Sequence, residues 1–216
     1  DQVIDAHGLI VCPGLVDLSA RLREPGLEYK ATLATELQAA IAGGVTHVAC
    51  PPDTDPALDE PGLVKMLTHR ARSLALAHVC PVGALTVKLE GKQITEMAEL
   101  RDAGCVAFSQ VDQPLIDTQV LMRALQYAAT FRLPVWLRAQ DPYLARNGVA
   151  HEGEVATRLG LAGIPIAAET VALATQLLLV KHTGARVHFC RLSSAEALDM
   201  IRAAKAQGLP VSCDVG

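Results

Sequence analysis

The sequence predicts an α/β fold, a (β/α)8 TIM-type barrel present in incomplete form with about seven strands. Three observations predict it. Short apolar, β-branched runs alternate with stretches of helical period along 216 residues, with Asp or Ser at helix starts and Gly at helix stops. Strand followed by helix, six times over, implies right-handed crossovers and a parallel sheet. A doubly wound open sheet is the competing architecture, but no GxGxxG follows the first strand, so a dinucleotide site has no support.

Residues 14–18 form the first apolar run, followed by a loop and an Ala-rich helical stretch at 32–42 closed by Gly43 and Gly44. Residues 46–50 are β-branched and apolar, and the Pro/Asp loop PPDTDP follows. Helix 62–73, strand 77–82 and helix 94–103, stopped by Gly104, come next. Residues 106–108 read as a strand and 117–131 as a helix opened by Asp117. Strand 134–137 leads into a long loop, then into the longest helix, 167–183, ended by Gly184. Strand 187–190, helix 194–207 with Ser194 as N-cap, and strand 210–213 complete the order.

Half of the residues are hydrophobic, yet only three Phe, three Tyr and one Trp are present, so helices must pack through small and aliphatic side chains. The net charge of −4 lacks the basic excess of a nucleic-acid or acidic-membrane binder. No signal peptide is visible and no apolar run approaches the roughly 18 residues of a membrane span. The six cysteines lie in or beside apolar runs without a CxxC, and read as buried thiols of a reducing, cytoplasmic compartment. No Met opens the chain, and the first residues read as the middle of something longer.

In a barrel, chemistry sits at the C-terminal ends of the strands. Those positions hold Ser19, Arg21 and Arg23, then Asp53 and Asp55, then Ser109 to Asp112. Arg138, Gln140 and Asp141, Arg191 and Ser193, and Asp214 follow the later strands. The segment PGLVDLSARLREPG at 13–26 resembles the first-strand signature of the amidohydrolase superfamily, specifically the long bacterial type of dihydroorotase, which ends in DLHxHLREPG. AAIAGGVTHVACPPDTDP, LRDAGCVAFS, EGEVATRLGLAGIP and GARVHFCRLSSAEALDMIRAAKAQGLPVSCDV are similar to the same family, in order. The resemblance implies an amidohydrolase barrel at 13–216, with 1–12 a lead-in and remnant of a flanking small β domain, and with the eighth strand missing.

The resemblance also implies two divalent metals held by the HxH pair, a carboxylate after strand four, and His after strands five and six. Here those positions read Ser19 and Arg21, Val111, Arg138 and Arg191. Arg has no usable lone pair and stays protonated at any working pH. Three guanidiniums would repel a pair of dications by several kcal/mol at an effective dielectric of about 20. The expectation is therefore no catalytic metal, no cofactor and no hydrolysis by the family's route.

Arg23 matches the family's substrate-carboxylate Arg, with Asp53 where the family has an assisting Asn, so both read as a vestigial substrate site. The blander alternative pairs Arg23 with Asp17 or Glu24. Arg21, Arg138 and Arg191 form either a new anion pocket with Arg23 or an ion network with Asp53, Asp112, Asp141 and Asp214 that plugs the former site. The seven histidines show no metal-ligand spacing and read as structural or surface groups. By resemblance, the expected function is a catalytically inactive dihydroorotase-like subunit in pyrimidine biosynthesis, in a hetero-oligomer with the aspartate transcarbamoylase catalytic chain. The alternatives are an active dihydroorotase with altered ligands and a small-anion-binding protein.

Overall fold

The computed structural model describes residues 3–216. Residues 3–14 form no helix or strand, and the expected lead-in at 1–12 falls partly outside the described residues. The chain then runs β1 (Leu15–Asp17), α1 (Leu33–Ala42), β2 (Val45–Cys50), α2 (Pro61–Leu74), β3 (His78–Ala84), α3 (Met97–Ala103) and β4 (Ala107–Ser109). It continues α4 (Thr118–Thr130), β5 (Val135–Leu137), β6 (Ala150–His151), α5 (Glu154–Arg158), β7 (Gly163–Ile164), α6 (Ile166–Thr183), β8 (Val187–Leu192), α7 (Ala195–Ala206) and β9 (Val211–Val215).

Seven strands form one sheet in the order β1-β2-β3-β4-β5-β8-β9, and every pairing is parallel. Sequential order with a helix in each crossover is the layout of a curled barrel wall, here with β1 and β9 as its two edges. The sequence order of strands and helices is thus as expected. The region expected as one long loop after β5 carries β6, α5 and β7 instead, with β6 and β7 paired in parallel. The helix expected from residue 94 starts at Met97, because Ile94 forms a bridge with Thr86.

Local chemistry sets the helix ends. Thr32 caps α1, accepting from Thr35 N while the Thr35 hydroxyl takes the Thr32 N–H. Asp117 accepts from Gln119 N and Val120 N at the start of α4, and Ser194 accepts from Ala197 N at the start of α7. Gly184 ends α6 at φ 68, a left-handed position that favours glycine.

Alternation along the strands separates two apolar faces. Val48, Phe108, Val135 and Phe189 join Leu37, Leu67, Leu100 and Leu125 from the helices in the main core. On the other face, Ala49, Val82 and Ala107 pack with Trp136 in a smaller cluster on the concave side. Gly83 lets the strands close up, since a Cβ there would lie 2.8 Å from the Phe108 ring. Of the cysteines, Cys50 and Cys105 are buried and Cys12 is exposed, which corrects the expectation that all six are buried; none is paired in a disulfide. No helix among the described residues is long and apolar enough to cross a membrane.

Candidate functional site

The concave face opens at the C-terminal strand ends, where the loops after β1, β2, β4, β5 and β8 converge. Arg21, on the loop after β1, donates from Nε to Asp53 Oδ2 at 2.6 Å and from Nη2 to Asp112 Oδ2 at 2.7 Å. Arg138, following β5, donates from Nη1 to Asp112 Oδ1 at 2.6 Å. Arg191, within β8, donates from Nη2 to the same oxygen. One carboxylate therefore gathers three guanidiniums from three separate segments of the chain.

The backbone aims this carboxylate. Val111 sits at φ 53, a costly conformation for a β-branched residue, and its N–H donates to Ser109 Oγ at 3.0 Å. The turn gives the inward position to Asp112, while Val111 lines the mouth beside Ser19. Buried Gln110 holds the same loop from behind, accepting from Thr86 Oγ1 at 2.9 Å and donating to Leu89 O at 2.7 Å. Arg191 is likewise at φ 56, where the register between β8 and β9 shifts.

Charge follows geometry. Burial pushes the Asp112 carboxyl up, but the hydrogen bonds and charges of Arg191 and Arg138 outweigh it and hold the group below the ordinary carboxylate range. The hydrogen bond to Asp53 raises Arg21 above the usual guanidinium value, against the opposing effect of burial. Burial pushes the Cys190 thiol up to about 12.

Of the two fates weighed for the arginines, the ion network is the one the geometry forms, with a different membership. Asp53 and Asp112 take part. Asp141 does not: its Oδ1 accepts from Tyr143 N and Leu144 N in the loop after β5. Asp214 accepts the Arg191 backbone N–H and contacts His188 Nε2 at 3.0 Å, with no guanidinium on it. Arg23 also departs from expectation. It is half-buried at φ 63 and has no ion pair or hydrogen bond to another side chain among the described residues. Asp17 instead accepts Ser19 N, and buried Glu24 accepts Leu33 N at 2.9 Å and pairs with Arg70. Asp53 is engaged by Arg21 and not by Arg23.

Two features escaped sequence reasoning. Glu169, in the first turn of α6, accepts from the backbone N–H and hydroxyl groups of both Ser193 and Ser194, fastening α6 to the start of α7. His188, Cys190 and Asp214 bring three ligand-type atoms within 4.8 Å of one another, against the expectation that no histidine has metal-ligand company. An acid in a helix's first turn and the alternation His-x-Cys on a strand were the available signals.

A two-metal centre of the kind the resemblance implies does not fit the five positions Ser19, Arg21, Val111, Arg138 and Arg191. They supply a hydroxyl, an isopropyl group and three guanidiniums already bound to Asp112, with no imidazole or carboxylate lone pair among them.

Comparison with known proteins agrees with the fold. The chain is 50% identical over 214 residues to a "Dihydroorotase-like protein" of Pseudomonas aeruginosa, covering 99% of this chain and 51% of that protein. It is 42% identical over 213 residues to a "Dihydroorotase" of Pelobacter propionicus, covering 99% of this chain and 50% of that one. The chain thus spans about half the length of the curated relatives it matches. Among solved structures, the L-hydantoinase (dihydropyrimidinase) of Arthrobacter aurescens superposes with a TM-score of 0.81 at 21% identity, over 99% of this chain and 49% of that one, which speaks to fold alone. The family model described as dihydro-orotase-like matches residues 8–197, and with it the chain belongs to the dihydroorotase-like family.

Proposed function

We propose that this chain is a non-catalytic dihydroorotase-like subunit of pyrimidine biosynthesis that serves aspartate transcarbamoylase as a structural or regulatory partner in a hetero-oligomer in the cytoplasm. The observation that carries the non-catalytic part is the gathering of Arg21, Arg138 and Arg191 on Asp112. A metal-activated water needs neutral imidazoles and carboxylates that leave one position open. Guanidiniums offer the opposite, fixed positive charge and no lone pair. The same pairing occupies three of the four guanidiniums that a small-anion pocket would need, Arg23 alone standing outside it.

The partner part follows from the resemblance stated above and from a general point: a fold can lose its chemistry and keep a surface that holds another enzyme. The relatives named dihydroorotase favour a second reading, an active cyclic-amide hydrolase. The two readings separate on one experiment, co-expression with the aspartate transcarbamoylase chain followed by purification, native mass measurement and assay of both reactions. The expected result is a stable mixed complex whose transferase activity depends on this chain and which leaves dihydroorotate untouched. Hydrolysis of dihydroorotate with added zinc, or independent purification of the two chains, overturns the corresponding half of the proposal.

A further inference from the structure

On the concave face, His188 and Cys190 share a side of β8, two residues apart, and Ser212 and Asp214 share a side of the neighbouring β9. His188 and Ser212 are direct register partners, and the register shift that follows Phe189 accompanies the approach of Cys190 to Asp214. We infer that His188, Cys190 and Asp214 form a binding site for one divalent transition-metal ion, with zinc the best match to the donor set. None of the three occupies a position that the family resemblance assigns to a metal ligand.

Four observations support the site. Its three donor atoms, an imidazole nitrogen, a sulfur and a carboxylate oxygen, all lie within 4.8 Å of one another. Tetrahedral zinc holds such donors at about 2.0–2.3 Å, so ligand atoms end about 3.3–3.7 Å apart, and only small side-chain rotations are needed. Each polar ligand is already oriented through its other atom: Ser212 Oγ lies 2.8 Å from His188 Nδ1, and the Arg191 backbone N–H holds Asp214 Oδ1. That leaves Nε2 and Oδ2, now 3.0 Å apart, facing each other. Finally, Cys190 and Asp214 line the mouth cavity with Ser19 and Trp136, which gives an ion a route in.

The charge also balances. A thiolate and a carboxylate neutralise the dication, so the loaded site carries no net charge in its half-buried position. On binding, the Cys190 thiol proton leaves to solvent. Before binding, His188 Nε2–H donates to Asp214 Oδ2 and Nδ1 accepts from the Ser212 hydroxyl. On binding, the imidazole proton passes to Nδ1, which then donates to Ser212 Oγ, and Nε2 coordinates. Asp214 exchanges its contact with His188 for the metal. One proton is therefore released per ion bound.

Arg191 illustrates why this site and the arginine cluster coexist. Its guanidinium is turned to Asp112, while its backbone serves Asp214. The metal site needs no hydrolytic activity, so zinc bound here without turnover leaves the proposed non-catalytic role intact.

The test is titration of the purified protein with Zn2+ alone and with Co2+ alone, followed by metal counting and near-ultraviolet absorption. The expected result is one ion per chain, about one proton released, and a thiolate-to-cobalt charge-transfer band. Cys190→Ser should abolish the band and weaken binding by at least about tenfold, and Asp214→Asn should weaken binding with the band retained. Cys12→Ser, which removes an exposed thiol, should change neither. Circular dichroism identifies which variants are folded, and either folded ligand variant suffices. Failure of the wild type to retain Zn2+ or Co2+, a cobalt spectrum without sulfur ligation, or wild-type affinity in a folded ligand variant overturns the site.

Discussion

Replacing Asp112 with Asn removes the one negative charge that Arg21, Arg138 and Arg191 share. The magnitude follows from exposure: the Asp112 side chain is 40% exposed, and Arg21, Arg138 and Arg191 are 25%, 34% and 38% exposed. Such pairs are partly screened by water, so each is taken at the upper end of the range for accessible ion pairs, about 1 kcal/mol. Three pairs, less what Asn recovers by accepting one hydrogen bond, give a loss of about 2–3 kcal/mol. For a chain of this size that lowers the melting temperature by roughly 4–12 °C. The assay is thermal unfolding of wild type and Asp112→Asn at low salt and at 1 M salt, where screening within about 3 Å should shrink the difference. A shift below about 1 °C at low salt, or one that salt leaves unchanged, would refute the view that this carboxylate holds the cluster together.

Four further outcomes follow from the same geometry. Asp112→Asn should turn the freed guanidiniums into an anion site, so inorganic phosphate should raise its melting temperature and leave wild type almost unchanged; equal responses would count against this. Because the Asp112 carboxyl is held below its ordinary value, its contribution to stability is full above the unfolded value of about 3.9 and is lost as the pH falls through the lower folded value. Urea midpoints of wild type should therefore drop more steeply on acidification through this range than those of Asp112→Asn, and parallel profiles would contradict the assignment. Gly26→Ala should cost more than about 1 kcal/mol in urea unfolding, since Gly26 has φ 91 and a Cβ would meet Asp55 O at 1.9 Å. Burial holds the thiols of Cys50 and Cys105 up to about 12, so alkylation of the native protein should reach exposed Cys12 first and those two only on unfolding, as peptide mass mapping would show.

The strand and helix order was legible because each element carries its own punctuation. Asp117 and Ser194 cap the helices they were expected to open, and Gly184 ends the longest helix in the left-handed conformation. What escaped were elements too short to show a period: β6 and β7 have two residues each and α5 has five. Ile94 looked like the start of a helix because it is apolar and precedes one, but its bridge to Thr86 is a tertiary contact.

The site divides in the same way. Side-chain type at a strand end revealed the arginines, and their count required acidic partners, of which Asp53 and Asp112 were correctly expected to contribute. Sequence could not separate these from Asp141, which spends its carboxylate on nearby backbone amides, or from Asp214, which faces His188. The freedom of Arg23 was equally illegible, because Glu24 beside it turns to Arg70 and to the start of α1. The His188, Cys190 and Asp214 grouping depends on register between two strands and on the shift beside Arg191, which no spacing along the chain encodes.

The most direct test of the central claim is the rate of dihydroorotate hydrolysis by the wild-type protein at saturating Zn2+, beside an active dihydroorotase under the same conditions. With Arg21, Arg138 and Arg191 held on Asp112, the expected rate equals the uncatalysed blank whether or not zinc is bound. Saturable turnover that appears with zinc and disappears with a chelator would contradict the non-catalytic assignment.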